Sequence, residues 1–257
     1  EQELNGESFV FHLGDNIFTE GIVDLVKYFL QHKPNGLLPV VHHPENLRMG
    51  VPIFDKKGRL IKYTEKPKSA PHDFAIPGLY FADQNFFKAF KGKNAVCPSA
   101  RGEWEIPDPF QWMIDHGYKI ETMEVKGKWL DPGKFDDWLV ANQTLLDINT
   151  KSDLESSPDS QTKIEGRVRI GKSCQIINSI IRGPVDIADK VQIINSFIGS
   201  YTSIASECVI DSCNVQNSVL MHGTKLEHIA KTIDNSIIGS DSYVCGNKGN
   251  HGNIELV

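Results

Sequence analysis

The sequence predicts an α/β layered domain followed by a β-helix of hexapeptide repeats, and three observations carry that prediction. Between Phe9 and about Asn149, short apolar runs take turns with amphipathic stretches, the pattern of strands alternating with helices. From Thr150 to Thr162 the run TKSDLESSPDSQT is polar, holds one Pro and has a single large apolar residue, so it reads as a linker. Beyond it aliphatic residues recur as Ile164, Ile170, Ile176, then Ile181, Ile187, Ile193, then Ile198, Ile204, Ile210, in steps of 6, 6 and 5. The domains are therefore expected at 1–149, 150–162 for the linker, and 163–257.

Within the first part the expected strands are Phe9 to Leu13, Leu37 to Val41, Ile61 to Thr64, Ile76 to Phe81 and Ile120 to Val125. Each is rich in β-branched or aromatic residues and bounded by Gly, Pro or Asp. The expected helices are Ile22 to Gln31, Asn85 to Lys91, Pro109 to His116 and Phe135 to Ile148. In the last, Phe135, Trp138, Leu139, Leu145 and Leu146 recur at helical spacing around the polar Asn142, which predicts a face packed on the sheet.

In the second part each aliphatic triplet returns after 17 residues, a spacing that no helix face and no simple alternation can produce. A three-sided coil of short parallel strands, turning a corner about every six residues, places one aliphatic per side inward. The echo IINS at Ile176 to Ser179 and Ile193 to Ser196, with IDSC at Ile210 to Cys213, repeats one side of successive coils. TIDNSIIGS (Thr232 to Ser240) matches QIINSFIGS (Gln192 to Ser200) closely, and the 23 residues from Val215 to Ile238 imply an insertion near Met221 to Lys231.

Composition narrows the function. The 257 residues are 40% hydrophobic and 23% charged, an ordinary globular balance. The 27 Lys and Arg against 33 Asp and Glu give −6, a field that repels a nucleic-acid backbone. Five cysteines (Cys97, Cys174, Cys208, Cys213, Cys245) show no CxxC pair and no His at ligand spacing, so buried free thiols in a reducing cytoplasm are expected. No apolar run approaches the roughly 20 residues that span a bilayer, and a membrane partner is not expected. The chain begins with Glu rather than Met and reads as a fragment of a longer parent.

Four short motifs could carry chemistry, and each has an ordinary structural explanation when taken alone. Leu13-Gly14-Asp15-Asn16 follows a strand, where ligands gather in open α/β sheets, but Gly-Asp-Asn is also common turn chemistry. Asp131, in Trp129-Leu130-Asp131-Pro132-Gly133, is placed to join Asp15 on Mg²⁺ or else to cap the helix that follows. Glu65-Lys66-Pro67 offers a hydroxyl acceptor beside a point charge for phosphate, or a solvated pair. Arg101 in Ser99-Ala100-Arg101-Gly102-Glu103 could fork onto a phosphate, or sit on an exposed loop.

In this order and at these intervals the motifs resemble the sugar-1-phosphate nucleotidyltransferases, nearest to the long-form glucose-1-phosphate thymidylyltransferases. The resemblance is carried by LGDN, MGVPIFDKKGRLIKYTEKP, AIPGLYF, PSARGEWEI, QWMID, KWLDPG, INSIIRGP and YTSIA. It implies a partial Rossmann-like, GT-A-like nucleotidyltransferase domain followed by a left-handed parallel β-helix. It also implies Mg²⁺-dependent transfer of a nucleotidyl group from dTTP to glucose 1-phosphate, giving dTDP-glucose and pyrophosphate, in a cytoplasmic homo-oligomer. Carried over by position, Asp15 and Asp131 are the metal-binding acids, Asn16, Gly50, Glu65 and Ile76 contact the sugar, and Lys66 and Arg101 contact its phosphate. Asp15, Asp131, Lys66 and Arg101 are thus the expected catalytic residues.

The family's N-terminal Gly-rich loop, GGxGTRLxPxT, does not occur in the sequence. The nucleotide cradle and the first strand of the sheet are therefore missing, an unpaired sheet edge is expected, and the chain alone is expected to be inactive. Pro132, Pro107 and Pro77 also depart from the family pattern on the sugar side. Three alternatives stay open: UTP or another sugar 1-phosphate as substrate, a non-catalytic regulatory or interaction protein keeping the fold, and an acyltransferase using His222, His228 or His251 of the β-helix.

Overall fold

The computed structural model describes residues 1–99, 102–246 and 254–256. The chain forms two compact units, Glu1–Asp131 and Pro132–Val257.

In the first unit the elements run β1 (Phe9–His12), β2 (Ile17–Phe18), α1 (Val23–His32), β3 (Gly36–His42), β4 (Gly50–Phe54), β5 (Leu60–Glu65), β6 (Phe74–Ala75), β7 (Leu79–Ala82), α2 (Pro107–Asp115), β8 (Ile120–Glu124) and β9 (Trp129–Leu130). Strand β3 is central, antiparallel to β7 and parallel to β8, and β1 pairs antiparallel with β7. All but the last of its seven residues are buried, as expected of a strand covered on both faces. The period of two sorts the side chains. Leu37 and Phe81 join Leu25 and Phe29 of α1 on one face, while Leu38 and Tyr80 join Phe110 and Met113 of α2 on the other.

The segment expected as a helix from Asn85 to Lys91 is a 3₁₀ helix, Gln84–Phe90. Asp83 starts it by accepting from the Asn85 N–H at 2.8 Å, and the tighter winding brings Phe86 and Ala89, three residues apart, into the core. Among the described residues β1 pairs with β7 alone, so its other side is a sheet edge. Val10 and Phe11 are 43% and 41% exposed there.

The second compact unit opens with α3 (Phe135–Asn149), and this corrects the expected packing. The polar positions anchor the helix to the coils. The Asn142 amide donates to the Tyr201 carbonyl at 3.0 Å and accepts from the Ser203 hydroxyl at 2.6 Å, and Gln143 donates to Asn217 at 2.6 Å. Asp147 pairs with Arg167 at 3.0 Å. Apolar periodicity alone could not show that these side chains choose the partner, while Phe135 and Trp138 stay about half exposed.

The expected linker is also corrected, because it already belongs to the first coil. Asp153–Leu154 pairs in parallel with the strand Val168–Ile170, Glu155 N–H donates to the Ile170 carbonyl and Asp159 N–H to that of Ile176. Backbone hydrogen bonds hold this segment without a buried aliphatic ladder, so the apolar pattern is silent there.

The coils form a parallel solenoid of the left-handed β-helix type. Its three sheets stack Ile164 on Ile181, Ile198, Val215 and Ile233; Ile170 on Ile187, Ile204, Leu220 and Ile238; and Ile176 on Ile193, Ile210, Leu226 and Val244. Most of these side chains are fully buried. The long insertion expected near Met221 is absent, because Val215 pairs with Ile233 and Ile238 belongs to the neighbouring side. The register instead shortens by one residue between Val215 and Leu220, lengthens by two between Leu226 and Ile233, and shortens by one again between Ile233 and Ile238. For the same reason the echo TIDNSIIGS turns a different corner from QIINSFIGS. Both corners use an Asn at positive φ, Asn195 at 48° and Asn235 at 50°, followed by Ser.

Serines close these corners from coil to coil. Ser196 Oγ donates to the Ile194 carbonyl at 2.7 Å and accepts from the Cys213 N–H at 3.1 Å, while Ser179 Oγ accepts from the Ser196 N–H at 3.1 Å. Ser196→Ala would leave the Cys213 N–H buried without this acceptor. It should lower stability by about 1–3 kcal/mol, read as an earlier urea midpoint with an unchanged slope. Cys208 and Cys213 are buried free thiols, as expected, but Cys97 is exposed and Cys174 and Cys245 are partly so.

Candidate active site

The site residues of the first unit come together through two small ladders and one turn. Leu13 to Asn16 forms the turn, closed by Asn16 N–H to the Leu13 carbonyl at 3.1 Å, and it leads into β2. Strand β2 pairs antiparallel with β9, with Ile17 opposite Leu130 and Phe18 opposite Trp129. One step further along this register Asn16 faces Asp131, so Asp15 and Asp131 flank the same end of one ladder. Both are exposed.

Asn16 itself is 6% exposed. Its Oδ1 accepts from the Gly78 N–H at 2.9 Å and from the Trp129 indole N–H at 2.7 Å, and its Nδ2 donates to Asp15 Oδ1 at 2.9 Å. Gly78 has no room for a side chain, since a Cβ there would lie 2.6 Å from Leu13 and 2.9 Å from Asn16 Oδ1.

The second ladder is the hairpin of β4 and β5, with Gly50 opposite Glu65. The Gly50 carbonyl accepts from the Ile76 N–H at 2.8 Å, and Ile76 lies two residues before Gly78. The crossover Ile76 to Gly78 thus joins the hairpin to the Asp15 turn. Lys66 leaves the hairpin at φ 44°, with its N–H on the Met49 carbonyl. Its Nζ lies 3.8 Å from Glu65 Oε1, and the side chain is 59% exposed. Arg101 lies outside the described residues.

Under Gly50 lies the ring of Tyr63, whose hydroxyl is 3.5 Å from that of Tyr80. Burial pushes both phenols up, Tyr63 well above its ordinary range, so they remain neutral. A Cβ on Gly50 would come 2.2 Å from the Tyr63 ring. Gly50→Ala must therefore displace a buried tyrosine, and it should cost about 1–3 kcal/mol, checked by thermal unfolding.

Sequence reasoning assigned no role to Trp129, Tyr63 or Gly78. The indole and the close glycine do lie inside the quoted motifs KWLDPG and AIPGLYF, but their roles depend on hydrogen bonds and space that spacing does not reveal.

Two carboxylates at one strand end suit a hard divalent cation, which takes one or two carboxylates and leaves positions for phosphate oxygens and water. Among the described residues no group of three or more His, Cys, Asp or Glu could hold a metal, so an all-protein cage is not built there. No described helix is long and apolar enough to cross a membrane.

An α/β domain with exposed acids at strand ends, followed by a hexapeptide solenoid, has the architecture of a nucleotidyltransferase. Residues 1–148 match the family described as Nucleotidyl transferase, and the chain belongs to that family. It is 33% identical over 242 residues to the glucose-1-phosphate thymidylyltransferase of Streptomyces antibioticus, covering 94% of this chain and 67% of that protein. A low-salt glycan biosynthesis nucleotidyltransferase of Haloferax volcanii is also 33% identical, over 94% of this chain and 67% of its own length. A UTP–glucose-1-phosphate uridylyltransferase of the same organism is 31% identical over 148 residues, 57% of this chain and 60% of that one. A crystal structure from Bacillus anthracis, assigned as a glucose-1-phosphate thymidylyltransferase, superposes with a TM-score of 0.51 at 31% identity over 58% of each chain. The chain spans about two thirds of the length of the Streptomyces relative.

Proposed function

We propose that the chain supplies the sugar-phosphate half of a sugar-1-phosphate nucleotidyltransferase active site, acting on glucose 1-phosphate with dTTP as donor. One observation carries this reading. Asp15, Gly50, Glu65, Lys66, Ile76 and Asp131, far apart in sequence, are joined by two short ladders and the Ile76 to Gly78 crossover. In the reaction a phosphate oxygen of the sugar 1-phosphate bonds to the α-phosphorus of the triphosphate, the bond to the bridging oxygen breaks, and pyrophosphate leaves.

No covalent step on the protein is required, so its contribution is position and charge. Asp15 and Asp131 would hold Mg²⁺, which when bound neutralises phosphate charge. Lys66 sets a cation against the sugar phosphate and Glu65 accepts from sugar hydroxyls, with the main chain of Gly50 opposite Glu65 on the hairpin. Arg101 adds a second cation in this reading. The uridylyltransferase relative supports UTP as the second candidate donor.

Lys66 and Arg101 are assigned to the sugar phosphate, so the donor triphosphate needs other cations and N–H groups, which a Gly-rich loop provides. The sequence contains no GGxGTRLxPxT string. With Mg²⁺, glucose 1-phosphate and dTTP or UTP, this chain by itself should release no pyrophosphate, and a version preceded by a segment carrying that loop should release it. Turnover by the short chain would overturn the argument about the loop. Silence in both would favour a regulatory protein that keeps the fold.

A further inference from the structure

We propose that Asn46, in the turn between β3 and β4, is a positioning residue for Lys66. Its side chain ties down one end of the 66–73 loop and its main chain, through Met49, the other, so that the lysine is held where a sugar phosphate would meet it. The inference rests on the reading of Lys66 as the phosphate cation.

Asn46 is 6% exposed although its neighbours in the turn, Glu45 and Leu47, are open to solvent, and a buried amide must find partners. Its Nδ2 donates to the His72 carbonyl at 2.7 Å and to the Phe74 carbonyl at 3.2 Å. Both partners can only accept, so they fix the orientation of the amide. Between them the Asp73 carbonyl accepts from the His43 N–H at 2.9 Å. Three successive carbonyls leading into β6 are thus taken up by one turn.

The same turn reaches the near end of the loop. The Asn46 carbonyl accepts from the Met49 N–H at 2.9 Å, and the Met49 carbonyl accepts from the Lys66 N–H at 2.9 Å. A relay of hydrogen bonds therefore runs from β6 through Asn46 and Met49 to Lys66. Lys66 stands at φ 44°, left-handed backbone that a lysine keeps only when its surroundings impose it. Its side chain is 59% exposed, so the place of Nζ follows from the main chain more than from packing. Pro67 comes next and favours extended backbone at the residue before it. Without the relay Lys66 would relax toward that conformation and carry its charge away from the hairpin.

The test is calorimetry of the full chain with glucose 1-phosphate, beside hydrogen exchange of a peptide spanning 66–74. Asn46→Ala should weaken glucose 1-phosphate about tenfold and quicken exchange in that peptide about tenfold. Asn46→Asp keeps the shape but, when ionised, sets oxygens against two carbonyls. It should lose more affinity than Ala at about pH 8 and recover toward about pH 5, relative to the wild type at each pH, as the carboxyl takes up a proton it can donate. A residue that only stabilised the fold would lower the urea midpoint in both variants without this pH profile of affinity. If Asn46→Ala does not fold, Asn46→Asp refolded at the lower pH and raised in steps carries the test. Unchanged affinity in a folded Asn46→Ala would overturn the inference, and so would weakened affinity with unchanged exchange at 66–74. A wild-type chain that binds no glucose 1-phosphate, or a Lys66→Ala variant that binds it like the wild type, would instead refute the reading of Lys66, and the inference with it.

Discussion

Asp131→Asn, made in a version completed with the nucleotide-binding segment, should lower the rate of pyrophosphate release by at least about a hundredfold, and Asp15→Asn should do the same. Asn keeps the shape of the side chain and removes the charge that a cation and its phosphate ligands would meet. Both acids are exposed at the end of the β2–β9 ladder, so neither change opens a cavity. Thermal unfolding should therefore move little, within about 0.5 kcal/mol. The measurement is steady-state pyrophosphate release at saturating Mg²⁺. A variant keeping most of the parent rate would remove that acid from the site.

Ile193→Ala in the β-helix should have the largest effect on stability, about 2–5 kcal/mol. Ile193 is fully buried and stacked between Ile176 and Ile210 in one sheet, so its loss empties one level of a ladder whose neighbours are pinned by backbone hydrogen bonds. Little collapse into the gap is available. Urea unfolding should show the midpoint falling with the slope kept, and exposed Ile180, at the 40% level, should tolerate Ala far better. Equal costs at the two positions would contradict the stacked-ladder account.

The β-helix was the more legible half, because its interior demands one aliphatic at nearly fixed intervals. The triplets Ile164/Ile170/Ile176, Ile181/Ile187/Ile193 and Ile198/Ile204/Ile210 fall on the three sheets in the register that their spacing implies. The reading failed where polar groups decide. Helix α3 is placed by Asn142 and Gln143, and the stretch after Thr150 joins the first coil through backbone hydrogen bonds. The corner motif shared by Asn195 and Asn235 disguised two different corners as one. In the first unit five of the six longer strands could be read from composition; β4 (Gly50–Phe54) was missed, and β2, β6 and β9 are two residues long and carry no periodicity. The β2–β9 pairing sets Asp15 and Asp131 at one ladder end; the resemblance led to their being expected as a pair, while the short strands that place them left no mark in the periodicity.

The regular coil also determines how this part of the chain can change in length. Excising or duplicating 17 residues, for example 181–197, carries every column onto its equivalent: Ile164, Ile170 and Ile176 would meet Ile198, Ile204 and Ile210. One or two residues more or fewer must be absorbed locally, and the protein does this between Val215 and Leu220 and again between Leu226 and Ile233. The solenoid is thus a tiled structure in which whole tiles are interchangeable and fractions of a tile are taken up only at the corners, so inheritance can alter its height in steps without redesigning its interior.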